Sequence, residues 1–594
     1  MNSSKIEYIS IRLLVRLVNL QLIDLLAQPI LGGKKLETLL QKFSDYQEVY
    51  TKGTYLFFTK NPIKIKFSGN FFRFETFQDV FGNNLDNALF ELVPSDFSGE
   101  TEMSLTHEFD RTLKPDSFTL TVTEQKEIII KTKNLRGFRY AAEALKLLFE
   151  KTSNGTACLL VSIAHSVSFQ VRGVIEGFYG LPWQHADRLD VLHYLGKNRM
   201  NTYMYAPKDD EYQRNLWRTL YPEKELAQFE ALIETAEKEM IDFYYMISPG
   251  NDIDYTQTEE VAVLTNKLQQ LIDIGVRNFG LLMDDIDYLL KGNAKKKFAS
   301  SASAHAYLIT QVDNFLKNEL EDYCFVVCPT EYDNHQDSSY LEILSEKMPK
   351  NIPLFWTGPS TLAAQITTSE IKTMAAAYNR PMIIWDNIPV NDYQKDYELL
   401  FLSPYENRSP LLNQEPFQVV GVVSNPMAQW ELSKLTIHNM SQFLWNSAGY
   451  KTVDSWNKTL AEYLPAKYYK ALKIFAQFNP NKYTREVLTL EQQNAIQEKD
   501  LVFITNQLEQ LVEASWQLLE VEDSAFQQTI GPWLKRTKED LLYWQTIMEG
   551  DPDKIQAVKT KLADIPYRIG TDLPAAFVQY WKLTEKIAVK EKVK

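Results

Sequence analysis

Cysteine is scarce in this chain. Its 594 residues hold three, Cys158, Cys324 and Cys328, an odd number at spacings that fit neither a disulfide framework nor a zinc site, so core packing is their expected role. Positive charge is in deficit. A net charge of −14 opposes binding to nucleic acid or to an anionic membrane through charge alone, and it suits a neutral or weakly charged ligand. A clean apolar run of the roughly twenty residues that a bilayer demands is missing. The stretch IRLLVRLVNLQLIDLLAQPIL near the start is broken by Arg12, Arg16 and Asp24, whereas a signal peptide needs a cleaner uninterrupted apolar segment followed by a small-residue cleavage site. The expectation is an amphipathic first helix in a cytoplasmic protein, with secretion left open and no membrane partner. Low-complexity tracts are absent too, and the lysine-rich end KEKVK reads as a solvated tail.

What is present is ordinary globular material, 45% apolar and 24% charged, in a chain long enough for about two to four domains. Aromatic residues reach 12%, with 11 Trp and 31 Tyr, which fits sugar-stacking surfaces and large cores equally. Between about residues 60 and 165 apolar residues alternate with period two: Ile63, Ile65 and Phe67, then Phe118, Leu120 and Val122, then Ile128 and Ile130. LRGFRYAAEALKLLFEK follows, with Phe138, Ala141, Leu145 and Leu148 at helical spacing, and KTSNGTA (151–157) reads as a last turn. The expectation for 1–165 is an α+β domain without a catalytic cluster.

From residue 170 short apolar runs alternate with amphipathic helices, the sequence form of a parallel sheet with helical crossovers. Eight runs qualify as strands: QVRGVIEGFYG, NTYMYAP, DFYYMISPG, NFGLLMDD, CFVVCPTEY, IPLFWTG, PMIIWDN and QVVGVVSNP. Eight β/α repeats over 168–433 match a closed TIM (β/α)8 barrel in count and size. An open doubly wound sheet competes, but its glycine-rich phosphate loop is not found, since the first run ends in GFYGLPW. Residues 434–594 carry no convincing strand pattern and read as an α-helical domain whose Trp and Tyr residues serve its core.

A barrel places its active site at the C-terminal strand ends. Those ends offer Gly177, Phe178 and Tyr179; Lys208, Asp209 and Asp210; Gly250 and Asn251; Asp284 and Asp285; Thr330 and Tyr332; Trp356 and Thr357; Trp385, Asn387 and then Asp392; and Asn425. The pair Asp284–Asp285 stands out because it ends a buried run. A solvated turn or a helix cap is the bland alternative for two such acids. Adjacent strand residues point to opposite faces, so both acids enter one pocket only where the strand ends or bulges. Two carboxyls in one pocket push their pKa values apart, leaving one ionised and one able to act as an acid. Adjacent positions do not suit the usual glycosidase pairs about 5 Å or about 6.5–9.5 Å apart across a sugar. They suit substrate assistance, in which the 2-acetamido group of an N-acetylhexosamine is the nucleophile. Two other readings stay open. A divalent metal would require further acids or histidines, and none of the seven histidines stands at one of these strand ends. A barrel that binds glycans without cleaving them is also compatible with the composition.

The motifs RGVIEGFYGLPW (172–183), KNRMNTYMYAPKDD (197–210), MDDID (283–287), CPTEY (328–332), WTGP (356–359), WDNIPVNDY (385–393) and SNPM (424–427) resemble, in order, those of glycoside hydrolase family 84, the O-GlcNAcases and bacterial β-N-acetylglucosaminidases. The resemblance spans the whole expected barrel. It implies a retaining exo-β-N-acetylglucosaminidase that works through an oxazoline, without metal or organic cofactor, on β-GlcNAc-bearing glycans or glycoproteins. By position, Asp284 would polarise the acetamido nitrogen and Asp285 would be general acid, then general base. Gly177 and Lys208 would contact sugar hydroxyls, and Asp392 the O4 and O6 side. Asn387 and Asn425 would hydrogen-bond around the sugar, Tyr332 and Trp385 would shape the acetamido pocket, and Tyr179 would lie near the glycosidic bond. Asp287 and the helical domain receive no role, and the oligomeric state is not implied.

Overall fold

The computed structural model describes residues 41–51, 53–68, 89–334 and 336–581, so the expected first helix and the KEKVK tail lie outside the described residues. The chain divides into two compact units at Val167/Ser168.

In the first unit the strands are β1 (Glu48–Tyr50), β2 (Tyr55–Phe58), β3 (Ile63–Ser68), β4 (Phe90–Val93), β5 (Met103–Phe109), β6 (Phe118–Val122), β7 (Glu127–Thr132), β8 (Phe149–Thr152), β9 (Gly155–Leu159) and β10 (Ser162–His165). Seven of them form one sheet in the order β1-β10-β6-β7-β5-β3-β4, and β2-β9-β8 form another. The period-two residues explain the larger sheet: Ile63, Ile65 and Phe67, Phe118, Leu120 and Val122, and Ile128 and Ile130 are all buried on one face. Helix Leu135–Lys146 covers β6 and β7, and Asn134 caps it by accepting from the Gly137 N–H. KTSNGTA is not a last turn. Thr152 pairs with Gly155 across a two-residue loop, which makes it a β8–β9 hairpin, and β10 follows. Gly155 sits at φ +147, where a Cβ would meet the Phe58 carbonyl oxygen at 2.0 Å, so only glycine closes the hairpin there.

The second unit opens with a closed parallel barrel of β11 (Val171–Glu176), β12 (Thr202–Tyr205), β13 (Asp242–Ile247), β14 (Asn278–Leu282), β15 (Cys324–Cys328), β16 (Leu354–Trp356), β17 (Met382–Asp386) and β18 (Val419–Ser424). These are the eight expected runs, and β18 closes on β11 with Val171 opposite Gly421. Their near-continuous apolar character follows from burial on both faces. Ile175, Met204, Met246, Leu282, Val326, Phe355, Ile383 and Val423 fill the interior, while Val174, Tyr203, Tyr245, Leu281 and Val422 pack in the outer core with residues of the helices. Inside, Gly280 lets the Met246 thioether cross its strand, since a Cβ would meet Met246 Cε at 2.1 Å.

One crossover departs from the expected alternation. Among the described residues the connection from β17 to β18 holds no α-helix, only the 3-10 turn Asp396–Glu398. Instead of laying an amphipathic helix on the barrel, this segment buries Leu399, Leu400, Phe401 and Leu402 in the core of the C-terminal helices. Those helices include Thr452–Tyr463, Tyr469–Gln477, Leu501–Leu518 and Ser524–Glu549. Helix Trp430–Trp445 is shared: Ile437, Met440 and Phe443 join the barrel core, whereas Leu432 and Leu435 join the helical one. The sequence boundary at 433/434 therefore falls inside a single helix. No described helix is long and apolar enough to cross a membrane.

Candidate active site

Strand β14 ends at Leu282, as the apolar pattern requires. Met283 is still buried and its N–H donates to the Cys328 carbonyl at 2.9 Å, so the chain leaves the barrel wall only at the aspartates. Asp285 takes a left-handed backbone, φ +52. That turn breaks the strand alternation and lets neighbouring acids share a cavity, at a cost of about 1–2 kcal/mol for a non-glycine residue.

The cavity holds about 610 Å³ and all ten residues expected of the site line it: Gly177, Tyr179, Lys208, Asp284, Asp285, Tyr332, Trp385, Asn387, Asp392 and Asn425. The two acids have different surroundings. Asp284 Oδ2 pairs with the Lys208 ammonium, and both side chains are buried, at 7% and 2% exposure. Its other oxygen, Oδ1, is buried without a hydrogen-bond partner. Asp285 accepts from the Tyr179 hydroxyl at 2.7 Å and from the Tyr332 hydroxyl at 2.9 Å.

The expected acid with a raised pKa is not what these contacts produce. Burial pushes the Asp285 carboxyl up, but the Lys208 charge, the two tyrosine hydroxyls and the Arg214 charge together hold it below the ordinary aspartate value. Lys208 itself is pushed down by burial and more than restored by Asp284 together with Tyr179 and Asp285, so it stays charged. A further acid of the cavity, Asp392, is raised chiefly by burial and in part by the Asp285 charge, although its Oδ2 accepts from the Tyr179 N–H at 2.7 Å.

An amide chain shapes the opposite wall. The Gly177 N–H donates to Asn425 Oδ1 at 3.2 Å, Asn425 Nδ2 to Asn387 Oδ1 at 2.9 Å, and Asn387 Nδ2 to the Thr361 carbonyl at 2.7 Å. Trp385 Nε1 also donates to Asn387 Oδ1, at 3.1 Å. Gly177 has to be glycine here, because a Cβ would lie 2.3 Å from Trp385 Cζ2. Beneath Trp385 and Asn387, Asp386 is held by the Arg408 guanidinium at 2.7 and 2.8 Å and by the Tyr405 hydroxyl at 2.8 Å, with the ion pair 1% exposed on both sides. Asp287 lies on the surface in an ion pair with Lys291 at 2.5 Å.

Sequence reasoning missed several members. Thr361 and Asp333 line the cavity and bond to each other at 2.7 Å. Tyr393 and Gln394 arrive on the helix-free crossover beside Asp392. Tyr483 comes from the helical region, where tyrosines were assigned to the core, and its hydroxyl donates to Asp396 at 2.5 Å. Arg214 reaches over Asp285 from the β12 connection; its place six residues after Lys208 on a polar loop was the only available signal. Among the described residues no group of three or more His, Cys, Asp or Glu side chains is arranged to hold a metal ion.

Two facts together define the class. The carboxylates sit at the C-terminal mouth of a parallel barrel, and the walls around them are the aromatic and amide surfaces that sugars take; both are features of barrel glycoside hydrolases. Comparison with known proteins narrows this. The family model described as beta-N-acetylglucosaminidase matches residues 172–477, and the chain belongs to that family, glycoside hydrolase family 84. It is 37% identical to the protein O-GlcNAcase of Mus musculus over 298 residues, 49% of this chain and 32% of that protein. With the protein O-GlcNAcase of Rattus norvegicus it shares 38% identity over 275 residues, 45% of this chain and 29% of that one. The match thus spans about a third of the length of these curated relatives. Among solved structures, an aspartate-to-asparagine mutant of the Thermobaculum terrenum O-GlcNAc hydrolase superposes with TM-score 0.63 at 31% identity, covering 70% of this chain and 94% of that chain. CpGH84B gives TM-score 0.72 over 91% of this chain and 99% of that chain; at 24% identity it speaks for the fold alone.

Proposed function

We propose that the protein is a retaining exo-β-N-acetylglucosaminidase that cleaves terminal β-linked GlcNAc with the substrate's own acetamido group as nucleophile. The observation that carries this reading is the unequal treatment of two adjacent acids. Asp284 is charge-compensated by Lys208 on one oxygen and has a buried, donor-less oxygen on the other. A buried acceptor of that kind calls for an N–H, and the acetamido nitrogen supplies one. Holding that N–H turns the acetamido oxygen toward the anomeric carbon and raises its electron density. Asp285, beside it and gripped by two phenols, protonates the departing glycosidic oxygen as the acetamido oxygen closes on C1. The oxazoline so formed is opened by water, whose proton returns to Asp285. Two inversions at C1 give net retention.

Asp285 must carry a proton in the first step, although its contacts favour the anion. The sugar supplies the means in this reading. A ligand that engages the Tyr332 or Tyr179 hydroxyl withdraws a stabilising donor from Asp285 and deepens its desolvation, and both effects raise its pKa. Asn387, Asn425, Lys208 and the Gly177 edge offer hydrogen bonds to ring substituents, Asp392 accepts from hydroxyls on the far side, and Trp385 gives an apolar wall to the acetamido methyl. The names of the curated relatives point to O-GlcNAc-bearing proteins as substrates, alongside other β-GlcNAc glycans. In this reading 168–433 is the catalytic barrel, following the α+β domain 1–165 and preceding the helical region 434–594 along the chain.

The test is hydrolysis of a fluorogenic β-GlcNAc beside its β-GalNAc and N-trifluoroacetyl analogues. A steep rate loss as the acetamido oxygen becomes less nucleophilic is expected, with the β-anomer of GlcNAc as first product. Saturable GlcNAc binding by calorimetry with no product from any β-GlcNAc substrate would instead make this a non-catalytic glycan-binding barrel.

A further inference from the structure

One cation stands over the carboxylate pair without a part in the proposed chemistry. Arg214 lies in the connection between β12 and helix Glu223–Lys238. Its Nη1 donates to the Tyr179 hydroxyl oxygen at 3.0 Å and its Nη2 to the Asp285 carbonyl at 3.3 Å, with the guanidinium 5.6 Å from the Tyr179 ring centre. A phenol has one proton to give. With Arg214 occupying its oxygen as donor, the Tyr179 proton is left for Asp285 Oδ2, which receives it at 2.7 Å. The same guanidinium grips the backbone of the one residue of the pair that is in a left-handed conformation.

The loop holds Arg214 still. The Ser248 N–H donates to the carbonyl of the neighbouring Gln213 at 3.1 Å, and Gln213 is fully buried. Trp217, also fully buried, donates to Asp252 at 2.8 Å, and Arg218 pairs with Asp252 at 2.7 Å and also with Glu260. Lys267 donates to the Thr219 carbonyl at 2.5 Å. A solvated surface arginine has no such fixed base.

We propose that Arg214 is a positioning residue for proton transfer, fixing the Tyr179 hydroxyl and the Asp285 backbone so that the Asp285 carboxyl is held in one place and its proton affinity is tied to Tyr179. This rests on Asp285 being the acid/base group of the proposed hydrolase. The titratable groups that face Asp285 are Tyr179 from the connection after β11, Lys208 and Arg214 from that after β12, Asp284 beside it, Cys328 at the end of β15, Tyr332 just after it, and Asp392 from the connection after β17. Arg214 is among those that favour the anion. Its removal deletes a positive charge and frees the Tyr179 hydroxyl to turn away, so the Asp285 carboxyl holds its proton to higher pH. Asp285 serves as acid only below its pKa, and kcat/KM reports the free enzyme, so the alkaline limb of that profile moves up.

The experiment compares pH profiles of kcat and kcat/KM for wild type, Arg214→Ala, Arg214→Lys and Tyr179→Phe on a β-GlcNAc with a poor leaving group. Arg214→Ala should move the alkaline limb up by about half to one pH unit and lower kcat by about tenfold or more, with KM changed less. Arg214→Lys should reverse part of the shift, and Tyr179→Phe should reproduce it. An unmoved limb in both Arg214→Ala and Tyr179→Phe, beside an active wild type, overturns this role alone. A wild type without hydrolytic activity overturns the proposed function itself, and this role with it.

Discussion

Asp285→Asn separates the proposed chemistry from the fold. Asparagine keeps the shape and one accepting oxygen, but it turns an NH2 toward one of the two phenols that now donate at 2.7 and 2.9 Å. That phenol must rotate and accept, so about one charge-assisted hydrogen bond is lost, roughly 1.5–3 kcal/mol. Relief from burying a carboxylate offsets part of it, and the melting temperature should fall by only a few degrees. The catalytic loss is larger and selective. A positioned proton donor contributes about 10²–10⁴ in rate, or roughly 2.7–5.5 kcal/mol at about 1.36 kcal/mol per decade. That full loss should appear in kcat/KM for a peptidyl-serine or alkyl β-GlcNAc, whose leaving oxygen needs a proton. For a dinitrophenyl glycoside, which departs as a stable anion, kcat/KM should fall by about tenfold or less, because oxazoline formation then needs only Asp284. Steady-state kinetics on the two substrates, beside a thermal melt of the variant, measure this. Equal loss on both leaving groups from a folded variant would refute the assignment of Asp285 to proton transfer.

Three further outcomes follow from the geometry. Gly177→Ala drives a methyl against Trp385 and should cost about 1–3 kcal/mol of overpacking, read as a lower melting temperature and a larger relative drop in kcat/KM. Arg408→Met leaves the 1%-exposed Asp386 with a hydrogen bond only from Tyr405, and urea unfolding should show a loss of about 3–5 kcal/mol; less than about 1 kcal/mol would mean the pair carries no net weight. Burial pushes the Lys267 ammonium down to about 7, against a smaller upward pull from Asp210. The folded state then binds fewer protons than the unfolded one between about pH 7 and the ordinary lysine range, so stability gained above that range is lost as pH falls toward 7. Unfolding free energy should therefore rise with pH across this window, by at most about 1.36 kcal/mol per pH unit from this residue, and Lys267→Met should flatten that part of the slope.

The barrel was legible because strands buried on both faces must be apolar nearly throughout and must end where water begins. NFGLLMDD contains both facts within eight residues. The β17–β18 crossover was not legible as an exception. Leu399, Leu400, Phe401 and Leu402 are buried by helices from later in the chain, and no local period records that. KTSNGTA was misplaced because an Asn-Gly turn signals a reversal without saying whether another strand follows. Among site residues, those at strand ends were found because the barrel brings all such ends to one mouth. Arg214 and Tyr483 were missed because their contacts join residues 35 to 87 positions apart.

The amino-acid order by itself determined which residues alternate, which runs are buried, and that two acids stand where a strand surfaces; these are local properties of hydrophobicity and spacing. What surrounds each acid was decided only by the tertiary structure. The left-handed turn at Asp285, the Lys208 ammonium on Asp284 and the two phenols with Arg214 on Asp285 come from the connections that follow four different strands. Charge state and proton affinity depend on distance and burial, and those quantities exist only once the ring of strands has closed.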